Sequence, residues 1–395
     1  MMDQMMPYPA VARAAMEGLD GSLIRTIFAE SAGVPDVIPL WFGEPDVVTP
    51  DFIREAAKQG LDAGRTFYNS NFGIDELRAA ITTYQAGLGR KARFDGVCVT
   101  ASGVNAIMLA CQALLDPGDR VVLPEPFWPN LGGIPRVLGA KVATVKLRLQ
   151  DAAWTIDLEE LLAALTPGTR MVMLNAPANP TGWMLSRADQ EVLLAHCRRL
   201  GIWILADDVY ERVVFDGRAA PTFLDIAEAD DRLVSINSFS KSWAMTGWRL
   251  GWINAPATLM TALGKISEFN TSCTPPFVQL AGIAALQQGE PFIAGTMSRY
   301  RAMRDLACAR LGAIPGVSIP VPGGAMYSFF AVEGCTDSLA LARSLLHGAH
   351  VGLAPGRAFG EAGEGCMRLC FAVAEDRLEA ACERIAHHLD RPGGR

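Results

Sequence analysis

No uninterrupted run of about 18 apolar residues occurs in this 395-residue chain, so a membrane-spanning helix is not expected. The first residues, MMDQMMPYPA, carry neither a basic nor an apolar segment, which argues against a secretory signal. Positive charge is not in excess: 35 Lys and Arg stand against 42 Asp and Glu, a net −7. The electrostatic footprint of a nucleic-acid or anionic-membrane binder is therefore missing. No C-x-x-C occurs, and the five His make no ligand spacing with the nine Cys, so no metal site is expected. The Cys (98, 111, 197, 273, 308, 335, 366, 370 and 382) form an odd, scattered set, as free core thiols in a reducing cytoplasm would. Internal repeats and low-complexity tracts are absent too.

Apolar residues are plentiful: half the chain is hydrophobic and only 19% is charged. That is material for a large core, and at roughly 150 residues per domain it suggests two or three domains, or one large and one small. From about residue 95 short apolar runs alternate with helical patterns. GVCVTAS (96–102), RVVLPEP (120–126), KVATVKL, RMVMLNAP, GIWILADDVY, RLVSINSF and RLGWINAP read as strands. VNAIMLACQALL (104–115) reads as a buried helix, Asp157 as a cap for DLEELLAAL, and Ser186 with Asp189 as a capping box. Near-continuous apolar strands between helices predict an α/β domain over 46–285, with a mostly parallel seven-stranded sheet covered on both faces. After Gly289-Glu290-Pro291 a long helical pattern, a Gly/Pro-rich stretch and two further helices near 336–348 and 375–389 predict a smaller α+β domain over 286–395. Residues 1–45 are too short for a domain and read as an arm.

In a parallel α/β sheet ligands bind outside the carboxyl ends of the strands. The polar residues that end the apolar runs are Ser102-Gly103, Trp128, Asn179, Asp207 with Tyr210, and Ser238 with Lys241. Ser102-Gly103 open a helix, where free amides favour an anion such as phosphate, or they form a plain cap. Lys241 after a buried strand is a desolvated nucleophile or an ordinary surface lysine. Asp207-Asp208 offer a carboxylate for a cationic ring nitrogen or an N-cap pair. Arg249 (GWRLGW) and Arg368 (CMRLCF) sit among apolar residues, where an arginine needs an anionic partner.

The ordered set FYNSNFGIDELRAAI, VTASG, PEPFWPN, NAPANPTG, ADDVYE, SFSKSWAMTGWRLG and MRLCFA resembles the class I, aspartate-aminotransferase-like family of pyridoxal-phosphate enzymes of fold type I. The likeness runs from GEPDVVTP (43–50) to MRLCFA (367–372). It implies a transaminase moving an amino group from an L-amino acid to a 2-oxo acid by a ping-pong mechanism, with pyridoxal 5′-phosphate as cofactor. Lys241 would form the internal aldimine and shuttle the proton of the substrate α-carbon. Asp207 would keep the pyridinium protonated, Tyr210 and Asn179 would bond the ring oxygen, and Trp128 would stack on the ring. Ser102, Gly103, Val104, Ser238 and Arg249 would surround the phosphate. Arg368 would grip the substrate carboxylate, with Gly43 closing the site. Tyr68 would reach the phosphate of a neighbouring subunit, which implies a homodimer with shared sites. The arm 1–45 would then pack on the small domain and on the partner.

Members that take dicarboxylic substrates carry a Lys after the phosphate-loop Gly; here that position is Val104. Arg25, Arg65 and Arg357 are unplaced substitutes. The expectation is a neutral or apolar amino donor, with 2-oxoglutarate or pyruvate as acceptor. Three other readings compete with this one. A C–S lyase or other β/γ-eliminating enzyme would keep Lys241, Asp207 and Arg368. Ser238-Phe239-Ser240-Lys241 satisfies the S-x-x-K of serine acylases, but S-D-N, K-T-G and G-x-S-x-G are absent. A transcriptional regulator needs a DNA-binding module, for which residues before about 40 leave no room.

Overall fold

The computed structural model describes residues 12, 14–150, 152–391 and 394. All seven expected strands form, and they join one sheet: β1 (Val97–Thr100), β2 (Arg120–Glu125), β3 (Lys141–Lys146), β4 (Thr169–Asn175), β5 (Trp203–Asp207), β6 (Leu233–Ser238) and β7 (Gly251–Asn254). Their order is β1-β7-β6-β5-β4-β2-β3. Neighbours from β6 through β3 run parallel, and β7 alone is antiparallel to both of its neighbours.

Six of the strands are buried on both faces because side chains alternate between two cores, while the edge strand β3 leaves Lys141, Thr144 and Lys146 exposed. Val121, Leu123, Met171, Met173 and Leu205 point to one core, shared with the helices Gly103–Leu114 and Ala257–Asn270. Val122, Val172, Leu174 and Ile204 point to the other, shared with Leu158–Ala164 and Arg187–Leu200. Asp157 caps its helix by accepting from the Glu159 and Glu160 amides at 2.9 and 3.2 Å. Ser186 accepts from the Asp189 amide at 3.1 Å, but the Asp189 carboxylate takes the Ser186 hydroxyl and not the cap amide, so the box is half formed.

A second sheet is antiparallel throughout: β8 (Val317–Ser318), β9 (Tyr327–Val332), β10 (Ala354–Pro355) and β11 (Cys366–Cys370), in the order β8-β9-β11-β10. The helices Glu290–Gly312, Ser338–Ala349 and Glu375–Leu389 cover it. Ile24 and Ile27, from helix Leu23–Glu30, join the same core, and Ile38–Pro39 pairs in parallel with Val351–Gly352. The nine cysteines are all free, and no helix among the described residues is long and apolar enough to cross a membrane.

Candidate active site

Strand register assembles one wall of the site. Asn175 at the end of β4 pairs with Asp207 at the end of β5, and Asp207 lies one strand from β6, which ends at Ser238. Because β7 runs backwards, its first residue, Gly251, meets Ser238 on one side and Thr100 on the other. The turn before β7, with Arg249, and the helix start after β1, with Gly103, therefore reach the same rim as Asp207 and Lys241. A Cβ at Gly251 would come within 2.7 Å of the Gly103 amide nitrogen, so only glycine lets these backbones approach so closely.

A cavity of about 320 Å³ opens there. Gly43, Gly103, Val104, Trp128, Asn179, Asp207, Tyr210, Ser238, Lys241, Arg249 and Arg368 all line it. Ser102 does not; it lies behind the rim, where its side chain caps helix Gly103–Leu114 by accepting from the Asn105 amide at 3.0 Å. Tyr68 is 91% exposed and outside the cavity. Of the three unplaced arginines, Arg25 lines the cavity, whereas Arg65 pairs with Glu76 and Arg357 with Glu361.

The rim toward β6 and β7 suits an anion. It combines the start of helix Gly103–Leu114, the hydroxyls of Ser238 and Ser240, 2.9 Å apart, and the Arg249 guanidinium, which spends one N–H on the Thr246 carbonyl at 2.5 Å. Two residues flanking this rim hold backbone that side chains rarely adopt: Ser102 has φ +146° and Arg249 φ +52°. Such positions cost about 1–3 kcal/mol each and persist where the surroundings fix them.

The opposite features suit a cation and a carboxylate. Asp207 is 2% exposed, and burial pushes its carboxyl up to about 7, while the Val209 amide and the Lys241 charge pull it down. A carboxylate so placed gains most from a cationic partner. The Lys241 ammonium donates to the Gly43 carbonyl at 2.5 Å. Burial, with Arg368 and Arg249 adding like charge, lowers its pKa to about 8. Arg368 is 2% exposed, donates to Asn179 Oδ1 at 2.8 Å and to the Trp41 carbonyl, and its buried Nε has no hydrogen-bond partner among the described residues. Its guanidinium lies over the rings of Tyr327 and Phe359, 4.4 and 4.7 Å from their centroids.

The segment Asp207–Arg212 alternates in direction. Asp207 and Tyr210 face the cavity, while Asp208, Glu211 and Arg212 turn inward. There Glu211 forms a fully buried ion pair with Arg90 and accepts from the Tyr84 hydroxyl at 3.1 Å. Asp208 accepts from Ser235 at 2.6 Å, and Arg212 reaches Glu290 at 2.5 Å. This network anchors the wall that carries Asp207.

Several lining residues were not anticipated: Asn175, Ser240, Thr246, Phe42 and Tyr327. Asn175 ends its strand as Asp207 does and was within reach of the strand-end rule; it accepts from the Asn179 amide at 2.7 Å. Tyr327 comes from the second sheet after a Gly-Gly turn, and nothing in its local sequence points to the site.

A doubly covered, mostly parallel sheet with a half-buried lysine and a buried carboxylate at its strand ends defines a pyridoxal-phosphate-dependent transferase. The chain belongs to the family described as aminotransferase class I and II, whose model matches residues 35–385, and it is a transaminase using that cofactor. It is similar to an aspartate aminotransferase of Pyrococcus horikoshii, 35% identical over 93% of this chain and 95% of the relative. An aspartate/prephenate aminotransferase of Cereibacter sphaeroides is also 35% identical, over 89% and 90%. Among solved structures, an aspartate aminotransferase of Thermotoga maritima superposes with a TM-score of 0.90 at 32% identity, covering 96% of this chain and all of the other. An alanine aminotransferase of Pyrococcus furiosus does so with 0.90 at 26% identity, covering 96% and 99%.

Proposed function

We propose that the chain transfers the amino group of a neutral or apolar L-amino acid to a 2-oxo acid in two half-reactions at this one cavity, a ping-pong scheme, with Lys241 bearing the cofactor. The observation that carries this reading is the convergence of Lys241, Asp207, Asn179, Tyr210, Arg249 and Arg368 on the same 320 Å³ space. When bound, the cofactor supplies an aldehyde that condenses with amines and a ring that accepts the electron pair of a deprotonated α-carbon.

The donor set fits that group. Gly103, Val104, Ser238, Ser240 and Arg249, with Ser102 holding the helix start, bind the phosphate. Asp207 holds a proton on the ring nitrogen, which is the cationic partner its buried carboxyl lacks. Tyr210 and Asn179 donate to the ring oxygen, and Trp128 packs on the ring. Lys241, whose lowered pKa keeps a fraction of neutral amine near pH 7, would take the α-proton and return it to the cofactor carbon on the other side of the shared nitrogen. Arg368, which lines the cavity, binds the substrate carboxylate through its guanidinium.

We assign residues 46–285 to the cofactor-binding domain, 286–395 to the small domain and 1–45 to an arm. The exposure of Tyr68 supports its use by a second copy, hence a homodimer, and we infer a cytoplasmic location. Val104 leaves no lysine for a side-chain carboxylate, which supports the neutral donor, whereas Arg25 at the cavity is the cation that a dicarboxylic donor would use. The relatives' names span aspartate, aromatic amino acids and alanine, so the donor must be measured. A screen of alanine, leucine, phenylalanine, methionine and aspartate, following conversion of bound cofactor to its amine form, tests this. Aspartate as clearly the best donor refutes the substrate reading. Release of ammonia or a thiol, with the cofactor left as aldehyde, refutes transamination in favour of a lyase.

A further inference from the structure

Tyr327 touches three groups of the site and belongs to none of the roles assigned above. It opens β9 and pairs with Cys370, two residues from Arg368 on the adjacent strand β11. It is 1% exposed. Its hydroxyl lies 2.6 Å from the Tyr210 hydroxyl, with the rings edge-on at 5.8 Å. Its ring face carries the Arg368 guanidinium. Gly43 lies directly against it: a Cβ there would fall 1.7 Å from the Tyr327 oxygen. Gly43 is also the residue whose carbonyl takes the Lys241 ammonium.

Proton counting limits the contact to one shared hydrogen. Burial pushes the Tyr327 phenol up to about 12 and raises Tyr210 well above its ordinary value, so both keep their protons at working pH. Two hydroxyls in contact use one of their two hydrogens between them, and the other must find an acceptor. Among the described residues neither hydroxyl has a further hydrogen-bond partner, and both side chains line the cavity. Where Tyr210 gives its hydrogen to the cofactor ring oxygen, as proposed above, Tyr327 is left as the donor of this contact.

We propose that Tyr327 is a positioning residue that orients the Tyr210 hydroxyl toward the cofactor ring oxygen and strengthens its donation, while its ring holds Arg368 for the substrate. This rests on the reading that Lys241 bears the cofactor and Tyr210 bonds the ring oxygen. A donor polarised by a second donor binds an anionic oxygen more strongly. That stabilises the state in which the nitrogen joined to Lys241 has lost its proton, because the ring oxygen then carries its full charge. Tyr327 therefore lowers the pH at which that nitrogen titrates.

The test is a pH titration of the visible band of the lysine-bound cofactor in wild type, Tyr327→Phe, Tyr210→Phe and the double variant. In Tyr327→Phe the midpoint rises by about half to one pH unit, roughly three- to tenfold tighter proton binding. Because phenylalanine keeps the ring under Arg368, KM for the amino donor stays within about twofold. In the Tyr210→Phe background the same substitution moves the midpoint no further. A normal wild-type titration that is unmoved in Tyr327→Phe, or a movement that survives in the Tyr210→Phe background, overturns this inference alone. Absence of any titrating band in the wild type overturns the Lys241 reading and this one with it.

Discussion

Gly43→Ala is the sharpest single perturbation of the site. The added methyl carbon would stand 1.7 Å from the Tyr327 oxygen, 2.7 Å from its Cζ and 3.0 Å from its Cε1. Real contacts of this kind stay beyond 3.0 Å, so something must move by more than an ångström. Tyr327 cannot swing freely, because Tyr210 holds its hydroxyl and Arg368 covers its face. Either Tyr327 leaves Tyr210, or the chain at Gly43 retreats and withdraws the carbonyl that takes the Lys241 ammonium. Overpacking of this order costs about 1–3 kcal/mol of stability. A displacement of about 1 Å at reacting groups costs on the order of 100-fold in rate. The expected result is kcat/KM down by about that factor, a melting temperature lower by a few degrees, and retained cofactor. Adding Tyr327→Phe deletes the nearest atom and leaves the 2.7 Å contact, so the double variant recovers part of the loss. Wild-type kcat/KM in Gly43→Ala, or a double variant worse than the product of the singles, refutes the clash.

Three further outcomes follow from the electrostatics. With the Lys241 pKa lowered to about 8, the rate at which cofactor-free protein captures pyridoxal phosphate rises with pH and levels off above about 8; a midpoint near the ordinary lysine value refutes this. Asp207 is the opposite case: its folded pKa, about 7, lies above its unfolded one, so the folded state holds the extra proton. Its contribution to the stability of cofactor-free protein is present below the unfolded pKa of about 3.8 and is lost as pH rises through about 7. Asp207→Asn removes that part of the slope in denaturant titrations run between pH 5 and 8, and an unchanged slope refutes it. Arg368→Ala raises KM for the amino donor by about 100-fold, because a charge-assisted bond of roughly 1.5–3 kcal/mol per contact is gone; steady-state kinetics with KM unchanged refute the carboxylate role.

The sheet was legible because its strands are local objects. ILADD and MVMLN are runs of apolar residues ended by polar ones, and that pattern is complete within a few positions. The antiparallel course of β7 was not legible, since the periodicity of RLGWINAP is the same whichever way the strand runs. Yet it is this reversal that carries Arg249 to the rim with Gly103. Asn175 ends β4 beside Asp207 and obeys the same strand-end pattern, which in NAPANPTG is shared with Asn179 four residues on. The sequence gives Arg25 no place; helix Leu23–Glu30, packed on the core of the second sheet, brings it to the cavity.

By itself the sequence determined the strand and helix segments, the seven-stranded α/β character and the residues at the strand ends that carry the chemistry. Each of these is a short-range pattern of polarity and spacing. The tertiary structure alone decided which of those residues meet. Arg368 reaches Asn179 across 189 positions, and Tyr327 reaches Tyr210 across 117. Such pairings arise from the packing of the second sheet against the strand ends of the first. No local pattern encodes them, because contact depends on where two cores come to rest against each other and not on what surrounds either residue in the chain.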